Sequence, residues 1–198
     1  MSAESIEEAK AALRLKARAA RAAIGDADRV GAAAEAARHF LSGIALRGDE
    51  IVAAYWPIRE ELDVKPLLGQ LMDRGQPVCL PVVRGEEEPL DMRLWEQGMP
   101  LYPSGFGTLA PAEDAPRVVP HVVIMPLLGF DAVGTRLGYG GGYYDRTLAA
   151  FGPPARLVGF AFAAQELPSV PRAAHDRPLD SIVTECGVRH FAPTQTVA

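Results

Sequence analysis

Two apolar runs with a helical segment between them, all within residues 51–83, restrict the fold more than any other feature of the chain. Ile51-Val52-Ala53-Ala54-Tyr55-Trp56 stops at Pro57 and has the length of a buried strand. Val64 to Arg74 reads as a helix closed by Gly75. Pro77-Val78-Cys79-Leu80-Pro81-Val82-Val83 reads as the next strand. Strand, helix and strand at this spacing make a βαβ unit, which favours a parallel sheet.

The flanking sequence fits around that unit. Ser5 to Leu46 is rich in Ala, Arg and Glu and has no proline. These are good helix formers, and Gly25-Asp26 splits the segment into helices over Ser5–Ile24 and Asp26–Leu46. Further strands are predicted at Leu90–Trp95, Val122–Pro126, Arg156–Phe162 and Ser181–Glu185, with a helix at Tyr143–Phe151. Gly98–Pro120 and Leu127–Gly142 read as loops. The expectation is one α/β domain over residues 1–198, with N-terminal helices at 1–46 and a mainly parallel sheet core at 50–190 under helices on both faces.

Composition excludes several classes. Hydrophobic residues make up 48% of the 198, enough for a core without metal or disulfide support. The net charge of −5 argues against a protein that coats nucleic acid. Cys79 and Cys186 are too few and too distant for a disulfide framework or a zinc signature. No apolar stretch is long enough to span a bilayer, and the acidic start at Glu4, Glu7 and Glu8 is unlike a secretory leader. A cytoplasmic monomeric enzyme, with neither a nucleic-acid nor a membrane partner, is the expectation.

The segment that carries chemistry is Gly134-Thr-Arg136-Leu137-Gly138-Tyr139-Gly140-Gly141-Gly142-Tyr143-Tyr144-Asp145-Arg146. Glycines before a helix let backbone N–H groups approach an anion, and the helix adds its positive end. Arg136 and Arg146 can add charge-assisted hydrogen bonds to phosphate oxygens. Asp145 lies where it could cap the helix or bind Mg²⁺. There is no P-loop sequence, and the third glycine of a Rossmann fingerprint comes one residue early, at Gly142. Two readings of the residues stand: a phosphate cradle, or a surface turn whose tyrosines pack into the core.

Arg136-Leu-Gly-Tyr-Gly-Gly-Gly-Tyr-Tyr-Asp-Arg146, preceded by Met125-Pro-Leu-Leu-Gly-Phe-Asp131, resembles the signature of the 5-formyltetrahydrofolate cyclo-ligases. The likeness continues in Lys10-Ala-Ala-Leu13-Arg14 with Arg21, in Tyr55-Trp56-Pro57 with Glu61, and in Phe106-Gly107. It extends through Leu157-Val-Gly159-Phe-Ala161 with Gln165, then Pro171, His175-Asp176 and Thr184-Glu185. Two places depart from the family pattern. Gly141 stands where many members have lysine, and Thr108-Leu109-Ala110-Pro111 differs from the usual loop.

The resemblance implies a three-layer α/β/α fold similar to the sugar-phosphate isomerase and CoA transferase-like proteins. It implies ATP- and Mg²⁺-dependent cyclisation of 5-formyltetrahydrofolate, with or without a polyglutamate tail, to 5,10-methenyltetrahydrofolate with release of ADP and phosphate. Lys10 and Arg14, four apart on one helical face, then look like ATP-binding residues, as do Arg136, Leu137, Gly138, Tyr139, Gly140, Gly141, Gly142, Tyr143 and Tyr144. Arg136 and Tyr144 are the catalytic candidates. Trp56, Glu61 and Tyr143 look like folate contacts, and Asp145 and Asp176 like Mg²⁺ ligands. If a lysine at position 141 contacts phosphate in relatives, Lys10, Arg14 or Arg136 supplies that charge here. His175 is not counted as a base. The rivals are another phosphate- or nucleotide-binding enzyme of the same fold, and a non-catalytic folate- or nucleotide-binding module. The second would have no need of the two aspartates.

Overall fold

The structure, a computed structural model, describes residues 3–151, 155–173 and 176–192. Helices α1 (Ala3–Ala22) and α2 (Asp26–Gly43) lead into strand β1 (Val52–Ala53), helix α3 (Lys65–Asp73) and strands β2 (Val78–Val82) and β3 (Asp91–Trp95). A small ribbon of β4 (Tyr102–Pro103) and β5 (Leu109–Ala110) precedes β6 (Val122–Met125). A second ribbon, β7 (Gly129–Phe130) and β8 (Arg136–Leu137), leads to α4 (Tyr143–Ala150), β9 (Arg156–Phe160), β10 (Ser181–Thr184) and β11 (Gly187–His190).

The main sheet has the order β11-β10-β9-β6-β1-β2-β3. The five inner strands run parallel, and the two edge strands pair antiparallel. β1 is shorter than its apolar run suggests because the chain leaves the sheet before Pro57, although Ala54 N–H still donates to the Cys79 carbonyl at 3.0 Å. Proline inside β2 is tolerated for the same reason. The carbonyls of Pro77 and Cys79 face β1, so by alternation Pro81 turns its missing N–H toward the side where β1 has already ended.

The sheet has an apolar layer on each face. On one, the buried stripe Ala32, Ala33, Ala36, Ala37 and Phe40 of α2 and Leu67, Leu68 and Leu71 of α3 cover Val52, Val78, Ile124 and Val158. On the other, Leu148 of α4 and the irregular segment with Leu127 and Phe130 cover Ala53, Cys79, Val123, Met125 and Leu157. Alternate residues of β1 and β6 thus feed opposite cores, as a sheet buried on both faces requires. The three layers and the mainly parallel sheet match the sequence-based expectation. α3 ends in a Schellman turn: Gly75, at φ +73°, and Gln76 donate back to the carbonyls of Met72 and Leu71. α1 lies apart, packing Ala17 and Leu13 on Leu128, Leu137 and Val170.

Phe40 is fully buried at the centre of the α2 layer. Phe40→Ala is expected to cost about 3–5 kcal/mol. Urea unfolding checks it: the midpoint falls with an unchanged slope, and a loss near zero would mean that α2 is not packed on the sheet.

Candidate active site

The two connections that meet at the sheet's centre run on opposite faces. α3 joins β1 to β2 on one face, and α4 joins β6 to β9 on the other. A crevice opens where the connections diverge, beyond the carboxyl ends of β1 and β6, as expected for such sheets. Here it is a cavity of about 550 Å³. Tyr55 and Trp56 after β1, Pro81 and Val83 at the end of β2, and Met125 and Pro126 at the end of β6 form its floor.

The glycine segment forms one wall. β8 pairs with β7, and the chain then turns through Gly138–Gly142 into α4. Gly140 at φ +101° and Gly142 at φ +65° adopt conformations that side chains disfavour. Gly140 also lies against Arg14, where an added Cβ would sit 3.3 Å from the guanidinium carbon. Arg14 Nε donates to the Gly138 carbonyl at 3.1 Å, and Arg146 donates to the Gly141 carbonyl at 2.7 Å. Arginines from two helices therefore hold this bend from either side.

α1 supplies the opposite wall. Lys10, Arg14, Arg18 and Arg21 all reach the cavity from one helical face. Lys10 Nζ lies 2.5 Å from Asp176 Oδ2, which also accepts the Ala173 N–H at 2.7 Å. Arg136 pairs with Asp145 and donates to the Arg177 carbonyl, so it ties α4 to the segment bearing Asp176. The Lys10 and Arg136 side chains are each only 8% exposed, too buried to stand without a counter-charge.

The third wall is the turn at residues 58–62. Ile58 N–H donates to Glu61 Oε2 at 2.9 Å, and the Tyr55 hydroxyl donates to the Leu62 carbonyl at 2.5 Å. Glu61 Oε1 accepts the Tyr139 hydroxyl at 2.5 Å. Burial pushes the Glu61 carboxyl above its ordinary pKa, partly offset by the hydrogen bonds from Tyr139 and Ile58. Burial also raises the phenols of Tyr55, Tyr139 and Tyr144, which stay neutral. Trp56 meets Trp95 edge-on at 6.0 Å, and Tyr143 meets Phe106 edge-on at 5.2 Å.

Nearly every residue singled out in the sequence lines this one cavity: Lys10, Arg14, Trp56, Glu61, Arg136, Gly138 to Asp145, and Asp176. Leu137 and Arg146 are exceptions. The Leu137 side chain is fully buried among Ala17, Leu128 and Val170. Arg146 bonds the Gly141 carbonyl and lies against the Tyr143 ring without lining the cavity. Asp145 does not cap α4; the N-cap is Gly142, with no side-chain hydrogen bond, and the carboxylate turns to Arg136. His175 lies outside the described residues. Sequence reasoning passed over Arg18, and it named Arg21, Tyr55 and Phe106 in the family likeness without giving them a role. The spacing 10, 14, 18, 21 is a basic helical stripe that could have pointed to both arginines. Phe106 stands at φ +62°, 62% exposed on the rim.

The two aspartates suit a hard cation that keeps water and phosphate ligands. Among the described residues no group of three or more His, Cys, Asp or Glu could enclose a metal by itself. None of the described helices is long and apolar enough to cross a membrane.

Comparison with known proteins agrees with the geometry. The chain is 32% identical over 164 residues to a 5-formyltetrahydrofolate cyclo-ligase of Mycolicibacterium smegmatis, covering 76% of this chain and 81% of that one. It is 34% identical over 139 residues to the Escherichia coli K12 protein of that name, covering 67% and 76%. The solved 5,10-methenyltetrahydrofolate synthetase of Aquifex aeolicus superposes with a TM-score of 0.80 at 29% identity, over 96% of both chains. The 5-formyltetrahydrofolate cyclo-ligase family model matches residues 6–185, and the chain belongs to that family.

Proposed function

We propose that this enzyme uses ATP and Mg²⁺ to cyclise 5-formyltetrahydrofolate to 5,10-methenyltetrahydrofolate, releasing ADP and phosphate. One observation carries the reading: a glycine bend faced by cations and a carboxylate–aromatic wall share a single cavity. A phosphoryl donor and a folate would meet there.

The chemistry explains why both must be present. The N5-formyl group is amide-like, and its oxygen is a poor leaving group. Transfer of a phosphoryl group to that oxygen makes it a good one. N10 of the same folate then attacks the formyl carbon, the C–O bond breaks, phosphate leaves and the N10 proton is released. The protein's task is alignment and charge neutralisation.

The residues divide that task. The Gly138–Gly142 backbone would approach phosphate oxygens, with Lys10, Arg14 and Arg136 countering their charge. Asp145 and Asp176 would hold Mg²⁺, which when bound draws charge from the transferred group. Glu61 would accept the donor N–H groups of the pterin, with Trp56 and Tyr143 against its faces. Tyr144, neutral and half-buried at the start of α4, lines the cavity beside Asp145. It would bound the transfer site, not take a proton. Buried aromatic walls would keep water from the activated formyl group.

The direct test follows absorbance of the methenyl product with purified protein, 5-formyltetrahydrofolate and Mg²⁺. Growth of the signal only with ATP supports the reading, and a flat trace from folded protein sinks it. Asp145→Asn retains an acceptor for Arg136 but loses a charge. It is expected to keep its circular dichroism spectrum and lose at least about tenfold in kcat/KM, roughly 1.4 kcal/mol or more. Turnover within twofold of wild type at limiting Mg²⁺ would remove Asp145 from the metal site.

Glu61 separates stability from binding. Its raised pKa means that the ionised form costs the folded state stability at neutral pH. Glu61→Gln is therefore expected to melt at or above the wild-type temperature at pH 7 while the KM for folate rises. The stability gap closes as pH falls through the raised pKa to the ordinary glutamate value, where both chains carry a neutral group. Melting curves across that range check the sign.

A further inference from the structure

Tyr139 sits within the glycine bend, yet its hydroxyl is engaged with the opposite wall. It donates to Glu61 Oε1 at 2.5 Å and accepts from Arg21 Nη1 at 2.6 Å. The three groups form a chain of cation, phenol and carboxylate, in which each bond polarises the next. Arg21 is only 4% exposed and keeps one buried nitrogen, Nε, without a hydrogen-bond partner. The Tyr139 ring also lies 5.8 and 5.6 Å from the guanidinium carbons of Arg18 and Arg21. Its neighbours in sequence, Gly138 and Gly140, are the two loop residues in contact with Arg14. A shift of the bend or of Arg14 therefore moves Tyr139, and Tyr139 moves Glu61.

We propose that Tyr139 couples the two halves of the cavity. Phosphate on the Gly138–Gly142 backbone fixes the Tyr139 hydroxyl, which aligns Glu61 for folate, and folate at Glu61 tightens nucleotide binding in return. Tyr139 is thus a positioning residue that acts through Glu61. The inference rests on the cyclo-ligase reading of the cavity. The turn is tied by the Glu61 N–H on the Ile58 carbonyl, the Tyr55 hydroxyl on Leu62, Arg29 on the Glu60 carbonyl and an Arg21–Glu60 ion pair at 3.8 Å, while on the Glu61 carboxylate itself Ile58 holds Oε2 and Tyr139 holds Oε1. The other charged groups facing it, Arg59 and Arg21, favour its anion, and Arg21 meets the bend at the Tyr139 hydroxyl itself. The hydroxyl of Tyr139 is the direct bond from the bend to Glu61. Reciprocity is then required by linkage.

The test titrates 5-formyltetrahydrofolate by tryptophan fluorescence, with and without a non-hydrolysable ATP analogue and Mg²⁺. Wild type is expected to bind folate about fivefold or more tightly with the analogue, a common size for site coupling. In Tyr139→Phe, which keeps the ring, the factor falls below about two. Hydrogen exchange on the wild type tests the same link without a variant: the analogue alone should slow exchange of the amides at 58–62. Undiminished coupling in Tyr139→Phe, or exchange at 58–62 that ignores the analogue, overturns the proposal. Binding of both ligands by wild type without coupling overturns it and leaves the cyclo-ligase reading standing. Folded wild type that binds neither ligand overturns both.

Discussion

The arrangement depends on one reversal in the sheet. β1 leads through α3 to β2 over one face, while β6, its other neighbour, leads through α4 to β9 over the opposite face. No connecting segment can cover the crevice between their carboxyl ends. β1 deepens it by leaving the sheet after two paired residues, and Pro81 in β2 turns its missing N–H toward the side where β1 ends. The cavity is thus a consequence of chain routing. Side chains only decide what it can hold.

What they set there is charge, and the charge also holds the structure together. α1 has a small apolar contact, Leu13 and Ala17 on Leu128, Leu137 and Val170. Its other ties to the sheet domain include Lys10 on Asp176, Arg14 on the Gly138 carbonyl and Arg21 on Tyr139. A buried cation without a partner costs several kcal/mol, so these contacts position α1 as well as charge the cavity. Asp176 and Asp145 each compensate a buried cation and each face the space where phosphates would sit. Removing either carboxylate would unbalance a cation before any chemistry is considered. Asp145→Asn keeps a hydrogen-bond acceptor for Arg136 and so disturbs it less than a truncation, although the guanidinium loses its counter-charge.

Much of this was legible in the sequence, for identifiable reasons. Four of the five inner strands are mainly apolar runs and the fifth, β10, is Ile182-Val183 between Ser181 and Thr184; each was found, because strands buried on both faces read that way. The glycine bend was legible because positive φ and close approach leave few alternatives to glycine at positions 140 and 142. The β7–β8 ribbon and β11 were not. They are two and four residues long, too short for a period to show, although they pair with near neighbours in sequence, Gly129 with Leu137 and Thr184 with Gly187. The direction of the Tyr139 side chain was illegible too. Its partners lie 78 and 118 residues away, and a tyrosine between glycines reads equally well as a phosphate contact.

Gly141 shows how a single departure from a family pattern has to be read in three dimensions. The sequence suggests a missing cation where many members have lysine. In the structure a Cβ at position 141 would lie 2.9 Å from two ring carbons of Tyr143, so that ring borders the bend itself. The Arg146 guanidinium lies 4.9 Å from the same ring and bonds the Gly141 carbonyl. A cation already stands at this bend, one helical turn further along the chain. A lysine here would have to displace the ring and share the space with a like charge. Glycine instead lets Tyr143 and Arg146 close over the backbone, and the cations that line the cavity are those of α1, Arg59 and Arg136.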